Sequence, residues 1–156
     1  MPKQIKERTV RHSITTLSDL TYPPNANIHG NVFGGHILQM VDKAAAVCGA
    51  RHAGSACVTV AMDRVEFLVP IKVGDFVIVE AQINYAGKTS MEIGVEVYAE
   101  DLIEGSRRHT NSCLVTMVAV DEKGRPLSVP RLSMETPEEK SRYAAAETRR
   151  SQRRSK

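Results

Sequence analysis

Tryptophan is absent from this chain, and four tyrosines and three phenylalanines are its only aromatics. The basic stretch at the C-terminus, "TRRSQRRSK", therefore has no aromatics interleaved with its charges. No recognisable binding motif surrounds it, and no nucleic-acid partner is expected. No segment approaches the run of about twenty apolar residues that a membrane-spanning helix requires, and the N-terminal "MPKQIKERTVRH" has no apolar signal core. These absences point to a cytoplasmic protein without a membrane partner. Cysteine is scarce as well. Cys48, Cys57 and Cys113 are odd in number and lack CxxC spacing; each lies among apolar residues, so buried, reduced thiols are the favoured reading. A nucleophilic Cys57 with His52 nearby is a weaker one, because closeness in sequence is not the geometry a nucleophile needs.

What is present is globular: 42% hydrophobic and 25% charged residues in a chain of 156, enough for one core and one domain. The net charge of +3 is uneven, with five positive charges and no acid from Thr148 onward, so the basicity reads as a solvated tail and not as a face of the folded body. Residues 1–12 read as a flexible N-terminal arm, 13–133 as the main domain and 134–156 as a C-terminal helix with its basic tail. "HSITTLSDL" alternates weakly, like a strand. "TYPPNANIHGN" is a loop, since its prolines and Asn/Gly cluster deny regular hydrogen bonding. From Gly34 to about His52 the residues Ile37, Val41, Ala44, Ala45 and Cys48 fall in one stripe at the 3.6 period, and Gly54 supplies a stop.

Beyond Gly54 the period becomes two. "CVTVAMDRVEFLVP", "VGDFVIVEAQINY", "TSMEIGVEVYAE" and "HTNSCLVTMVAVD" are strands, and the short turns "AGK" and "EGS" make the sheet antiparallel. Glu92 and Glu96 should face water while the other side of their strand lies on the only long apolar helix. The fold class is α+β: a long central helix wrapped by a curved antiparallel sheet of five to six strands. A sheet covered by one helix leaves apolar surface and edges open, so self-association is expected. "METPEEKSRYAAAETRR" has a cap at Thr136, Pro137 at the first helical position and acids in the first turn, the start of a terminal helix.

The segment "NIHGNVFGGHILQMVDKAAAVCGARHAG" changes character halfway. Glycines at the start of a long helix expose N–H groups that have no intrahelical partner, with the helix dipole behind them. Such a site attracts an anion or a carbonyl oxygen gaining charge, although "FGG" also serves as a plain helix start packed tightly. Asp42 lies about 140° around the wheel from Ile37, at the edge of the buried stripe and flanked by small residues. It is either a base in a site or the partner of a cation such as Arg51. Asp42 lies about 12 Å along the axis from Gly34. Two such helices packed antiparallel across a dimer axis close that gap.

"NANIHGNVFGGHILQMVDKAAAV", with "VTVAMDRVEFLVPIKVGDFV", "YAGKTSMEIGVEV" and "VAVDEKGRPLSVP", closely resembles the hotdog-fold acyl-CoA thioester hydrolases of the bacterial short-chain and brain-type cytosolic kind, over roughly residues 10 to 145. The resemblance implies a hotdog fold and a thioesterase of lipid metabolism that hydrolyses acyl-CoA to the acid and CoA. Its sites would be shared between subunits of a homo-oligomer, a dimer or a trimer of dimers forming a homohexamer. It implies Asn31 as active-site asparagine and Asp42 as general base or nucleophile, with the Gly34 and Gly35 amides polarising the thioester oxygen. The "GKTS" turn, Gly87, Lys88, Thr89 and Ser90, would lie beside the CoA nucleotide, with Arg131 a further contact. No cofactor is implied, CoA being part of substrate and product. His29 and His36 read as loop polar groups, not metal ligands, since no third or fourth ligand has suitable spacing. His36 stands where many relatives have an aromatic or threonine, which leaves the acyl preference open. A non-catalytic acyl-CoA sensor of the same fold is the alternative; it has no need of a base. Hydration of an enoyl-CoA would need an Asp/His pair that His29 with Asn31 does not supply.

Overall fold

The change of period at Gly54 becomes a change of layer in the computed structural model, which describes residues 5–155. One long helix, α2 (Gly34–Ala53), touches every strand of a five-stranded antiparallel sheet. The strands are β2 (Thr15–Leu20), β3 (Ala56–Phe67), β4 (Phe76–Ala86), β5 (Ser90–Glu100) and β6 (Arg107–Val120), in the spatial order β2-β4-β5-β6-β3. Tight hairpins make β4, β5 and β6 neighbours, and β3 returns to the far edge to pair with β6.

The core lies between α2 and one face of the sheet. Val77, Val79, Ala81 and Ile83 of β4, Met91, Ile93, Val95 and Val97 of β5, and Val115, Met117 and Ala119 of β6 alternate inward and are buried. They meet Ile37, Met40, Val41, Ala44, Ala45 and Cys48 of α2. Each fully buried Val, Ile or Met side chain contributes about 1.5–3 kcal/mol, so this seam fixes where both ends of α2 stand. Gly54, in the left-handed region at φ 71°, ends the helix with its N–H on the Ala50 carbonyl at 2.8 Å.

The two sheet edges differ. The exposed side chains of β2 are polar, Thr16, Ser18 and Asp19. Those of β3 include Val58, Val60 and Phe67, which are 48%, 61% and 55% exposed. β3 also slips register against β6 between Thr59 and Ala61 and between Asp63 and Glu66, where Arg64 has φ 52°. An open apolar edge is a surface for another strand.

Three expectations need correction. Residues 1–4 of the expected flexible arm lie outside the described residues, but β1 (Glu7–Thr9) pairs in parallel with β7 (Arg131–Ser133), and α1 (Val10–Ser13) follows with Val10 1% exposed. The polar run hid one core residue and a long-range pairing. Glu92 does not face water: at 6% exposure it lies beneath α3 (Pro137–Arg154). The basic stretch is not a solvated tail either, for Arg149 pairs with Glu92 at 2.5 Å, Arg150 donates to the Tyr85 hydroxyl at 2.6 Å, and Arg153 reaches Asp63 at 3.1 Å. Thr136 caps α3 as expected, its hydroxyl accepting from the Glu139 N–H at 3.1 Å.

Candidate active site

The loop before α2 is built by backbone hydrogen bonds that fold it on itself. The Asn27 N–H donates to the Asn31 carbonyl at 2.7 Å, and Gly30, at φ 81°, donates back to the Asn27 carbonyl at 3.1 Å. The Val32 N–H ties the loop to Ile71 at 2.7 Å. Asn27 Oδ1 accepts from the His29 N–H at 2.9 Å and from the Asn31 N–H at 3.2 Å. Its carbonyl end is thereby spent within the loop, while its Nδ2 hydrogens have no acceptor among the described residues. Asn27 and Asn31 line one cleft of about 250 Å³ together with Gly34, Ile37, Phe67 and Asn111.

Helix α2 begins at the mouth of this cleft. Phe33 precedes it in extended conformation and caps it with no side-chain hydrogen bond. The first helical bonds are made by His36 and Ile37, both to the Phe33 carbonyl. The Gly34 and Gly35 N–H groups therefore have no backbone acceptor among the described residues, and they carry the positive end of the helix dipole. Such an end stabilises negative charge developing on an oxygen.

Asp42 lies two turns further along and is half-buried. Its Oδ1 accepts from the Thr59 hydroxyl of β3 at 2.6 Å. Arg51 is not its partner: that guanidinium donates to the Ile14 carbonyl and the Thr15 hydroxyl, both at 3.1 Å. Among the described residues no cation pairs with Asp42, so it is a carboxylate oriented by a neutral donor. The Asn27–Gly34 cleft and the Asp42–Thr59 pair are separate within one protomer, spaced by about 12 Å of helix.

The "GKTS" turn is fastened to the segment before β7. The Lys88 carbonyl accepts from Val129 at 2.8 Å and the Thr89 carbonyl from Ala119 at 3.0 Å, while Gly87 and Ser90 close the turn at 2.8 Å. Arg131 is exposed on a broad cleft shared with Lys6, Arg8, Gly54 and Ser128. A Cβ on Gly87 would strike the Arg150 guanidinium, so that cation flanks the turn. His52 and Cys57 do not form a catalytic pair. The His52 ring faces the Pro130 carbonyl at 2.8 Å, and burial pushes the Cys57 thiol up to about 11. Among the described residues no three His, Cys, Asp or Glu side chains group as a metal site.

Sequence reasoning overlooked Asn27, Thr59 and Arg150. Thr59 carried a faint signal, a hydroxyl among valines on the strand that packs beside the helix. Asn27 and Asn31 sit in one loop, and only the hydrogen-bond pattern separates their roles.

Residues 29–106 match the thioesterase superfamily. The chain is a member of that family. Similar to this thioesterase-superfamily chain is the protein VdlD of Helicobacter pylori, 42% identical over 83% of this chain and 74% of that one. A hexameric acyl-CoA thioesterase, solved in its apo form, superposes with a TM-score of 0.92 at 39% identity, covering 97% of each chain. The acyl-CoA hydrolase of Staphylococcus aureus, solved with butyryl-CoA, CoA and CoA disulfide, superposes at 0.87 with 32% identity, covering 96% of this chain and 91% of that one. These likenesses carry the hotdog fold to this chain. The Staphylococcus enzyme has also been solved with alanine in place of an asparagine, of an aspartate 15 positions further on, and of a threonine 17 beyond that.

Proposed function

We propose that this chain hydrolyses acyl-CoA thioesters to the free acid and CoA, in the cytoplasm and in the service of lipid metabolism, as a homo-oligomer of dimers. The observation that carries the reading is Asp42, half-buried and held at 2.6 Å by the Thr59 hydroxyl, on a helix whose first two amides are open. Asn27, Asp42 and Thr59 repeat the spacings of 15 and 17 of the three residues replaced in the Staphylococcus enzyme.

The thioester oxygen sits at the Gly34 and Gly35 amides and the Asn27 Nδ2 donor, which gather the charge that forms as the carbonyl is attacked. Asn31 lines the same cleft and holds Asn27 through its backbone N–H. Asp42 of the facing protomer takes a proton from water as the oxygen–carbon bond forms. The carbon–sulfur bond then breaks, and CoA leaves as thiolate to recover that proton. In the covalent variant Asp42 itself attacks, and water opens the mixed anhydride. Sulfur lends the carbonyl little resonance, so a carboxylate and a polarised carbonyl suffice and no metal or cofactor is called for. Lys88, Thr89 and Ser90 at Gly87, with Arg131 and Arg150, offer cations and hydrogen bonds to the CoA phosphates. The apolar β3 edge supports pairing of protomers, and the hexameric state of the superposed thioesterase supports a trimer of dimers.

The test is thiol release from acyl-CoAs of short to long chain, with wild type, Asp42→Ala, Asn27→Ala and a co-refolded mixture of the two variants. Each variant alone should be nearly inactive. The mixture should recover activity, because a mixed dimer holds one intact site. A wild type inert towards every thioester overturns the hydrolase in favour of a binding protein, and no recovery on mixing overturns the shared site.

A further inference from the structure

One polar side chain of the interior has no part in this scheme. Asn111 lies on β6, on the inward face with Cys113, Val115, Met117 and Ala119, and is 4% exposed. Its Nδ2 donates at 3.4 Å to the Glu66 carbonyl, where β3 slips register against β6. Its Oδ1 has no hydrogen-bond donor among the described residues. Asn111 also lines the cleft of about 250 Å³ that holds Asn27, Asn31 and Gly34. Buried acceptors without a donor are rare in folded proteins, and the neighbouring walls, Val32, Ile37, Val69 and Ile71, have no side-chain donor to give.

We propose that Asn111 is a substrate-binding residue, its Oδ1 accepting a hydrogen bond from an N–H or O–H of the bound thioester close to the reacting carbonyl. The inference rests on the thioesterase reading. The groups set around the thioester oxygen are donors: the Gly34 and Gly35 amides and Asn27 Nδ2. A thioester carbonyl has no hydrogen to offer Asn111 in return. In an acyl-CoA two neutral donors lie within a few bonds of it: the amide N–H at the sulfur end of the pantetheine arm, and a hydroxyl when the acyl group carries one. Either places a donor in the cleft, and a site built to pair with such a group discriminates against ligands that lack it.

The experiment compares wild type, Asn111→Leu and Asn111→Ala on butyryl-CoA, 3-hydroxybutyryl-CoA and 4-nitrothiophenyl butyrate, which has neither donor. Loss of one neutral hydrogen bond should lower kcat/KM about tenfold for the substrate that carries the donor, in both variants. The donor-free thioester should change by less than about twofold, well below the value of one hydrogen bond. A fall shared by both CoA thioesters assigns the amide, and a fall confined to the hydroxyacyl substrate assigns the hydroxyl. An equal fall on the donor-free thioester makes Asn111 a packing residue and overturns the proposal, as does no fall on either CoA thioester. Calorimetric binding of the thioether analogue of 3-hydroxybutyryl-CoA reads the same contact without turnover. Kd about tenfold weaker in Asn111→Leu supports the proposal and an unchanged Kd overturns it. A wild type that binds this thioether but cleaves nothing fails the hydrolase reading alone.

Discussion

The two ends of α2 are finished in opposite ways. At its C-terminal end Gly54 closes the backbone onto Ala50, Arg8 donates to the Arg51 carbonyl, and His52, wholly buried, bonds Pro130. At its N-terminal end the Gly34 and Gly35 amides are uncapped, Phe33 is 58% exposed, and three asparagines surround the cleft. One helix is anchored at one terminus so that the other can stay unsatisfied until a ligand arrives. Substitutions near the open end should therefore cost activity with little stability, and substitutions at the closed end the reverse.

Asp42→Asn, which keeps an acceptor for Thr59, should show the largest effect, lowering kcat about 10²–10⁴-fold while the unfolding midpoint stays nearly unchanged. Next is the contrast within the loop. Asn27→Ala should lower kcat about 10²-fold, as loss of an oxyanion donor does, while Asn31→Ala, whose backbone N–H persists, should cost less than about tenfold. A reversed order would hand the donor role to Asn31.

At the closed end His52→Leu strands the Pro130 carbonyl, and denaturant titration should register a loss of about 1–3 kcal/mol with kcat intact. This residue also sets a pH dependence. Burial lowers its pKa from the usual 6.5, against the opposing pull of the Pro130 carbonyl. The unfolded chain therefore binds a proton that the folded chain refuses, and stability falls as pH drops below 6.5 towards the lowered folded value. The slope is at most about 1.4 kcal/mol per pH unit and is absent above that window. His52→Leu should flatten the slope. Gly54→Ala should cost about 1–2 kcal/mol, since φ 71° disfavours a Cβ. The smallest effect concerns the thiols near this end. Burial raises Cys48 to about 12 and Cys57 to about 11, so Ellman's reagent should label native protein slowly and unfolded protein at once.

The helix and the hairpin strands were legible because their signals are local: the stripe from Ile37 to Cys48, the alternation along β4 to β6, and the turns at Gly87 and Gly105 all lie within one or two elements. The pairing of β1 with β7, and of β3 with β6 rather than β4, joins residues far apart in sequence, and nothing local announces it. Glu92 shows the same limit in a side chain. Alternation correctly placed it on the outer face, but which helix covers that face is decided by Arg149, 57 residues away. In the site, Asp42 and the glycines stood out as exceptions to a helical pattern. Thr59 did not, because a threonine in a strand needs no explanation until a carboxylate is found against it.

The clasp of Glu92 by Arg149 bears on how the molecule wears out. Residues 122–128, just ahead of β7 and α3, are exposed, and a protease cutting there leaves α3 held only by its contacts. Once α3 departs, Glu92 loses Arg149 and meets water, with Asn84 as its remaining close partner, and the outer face of the sheet is uncovered. A single nick in a surface loop thereby opens the side of the sheet that the central helix does not cover.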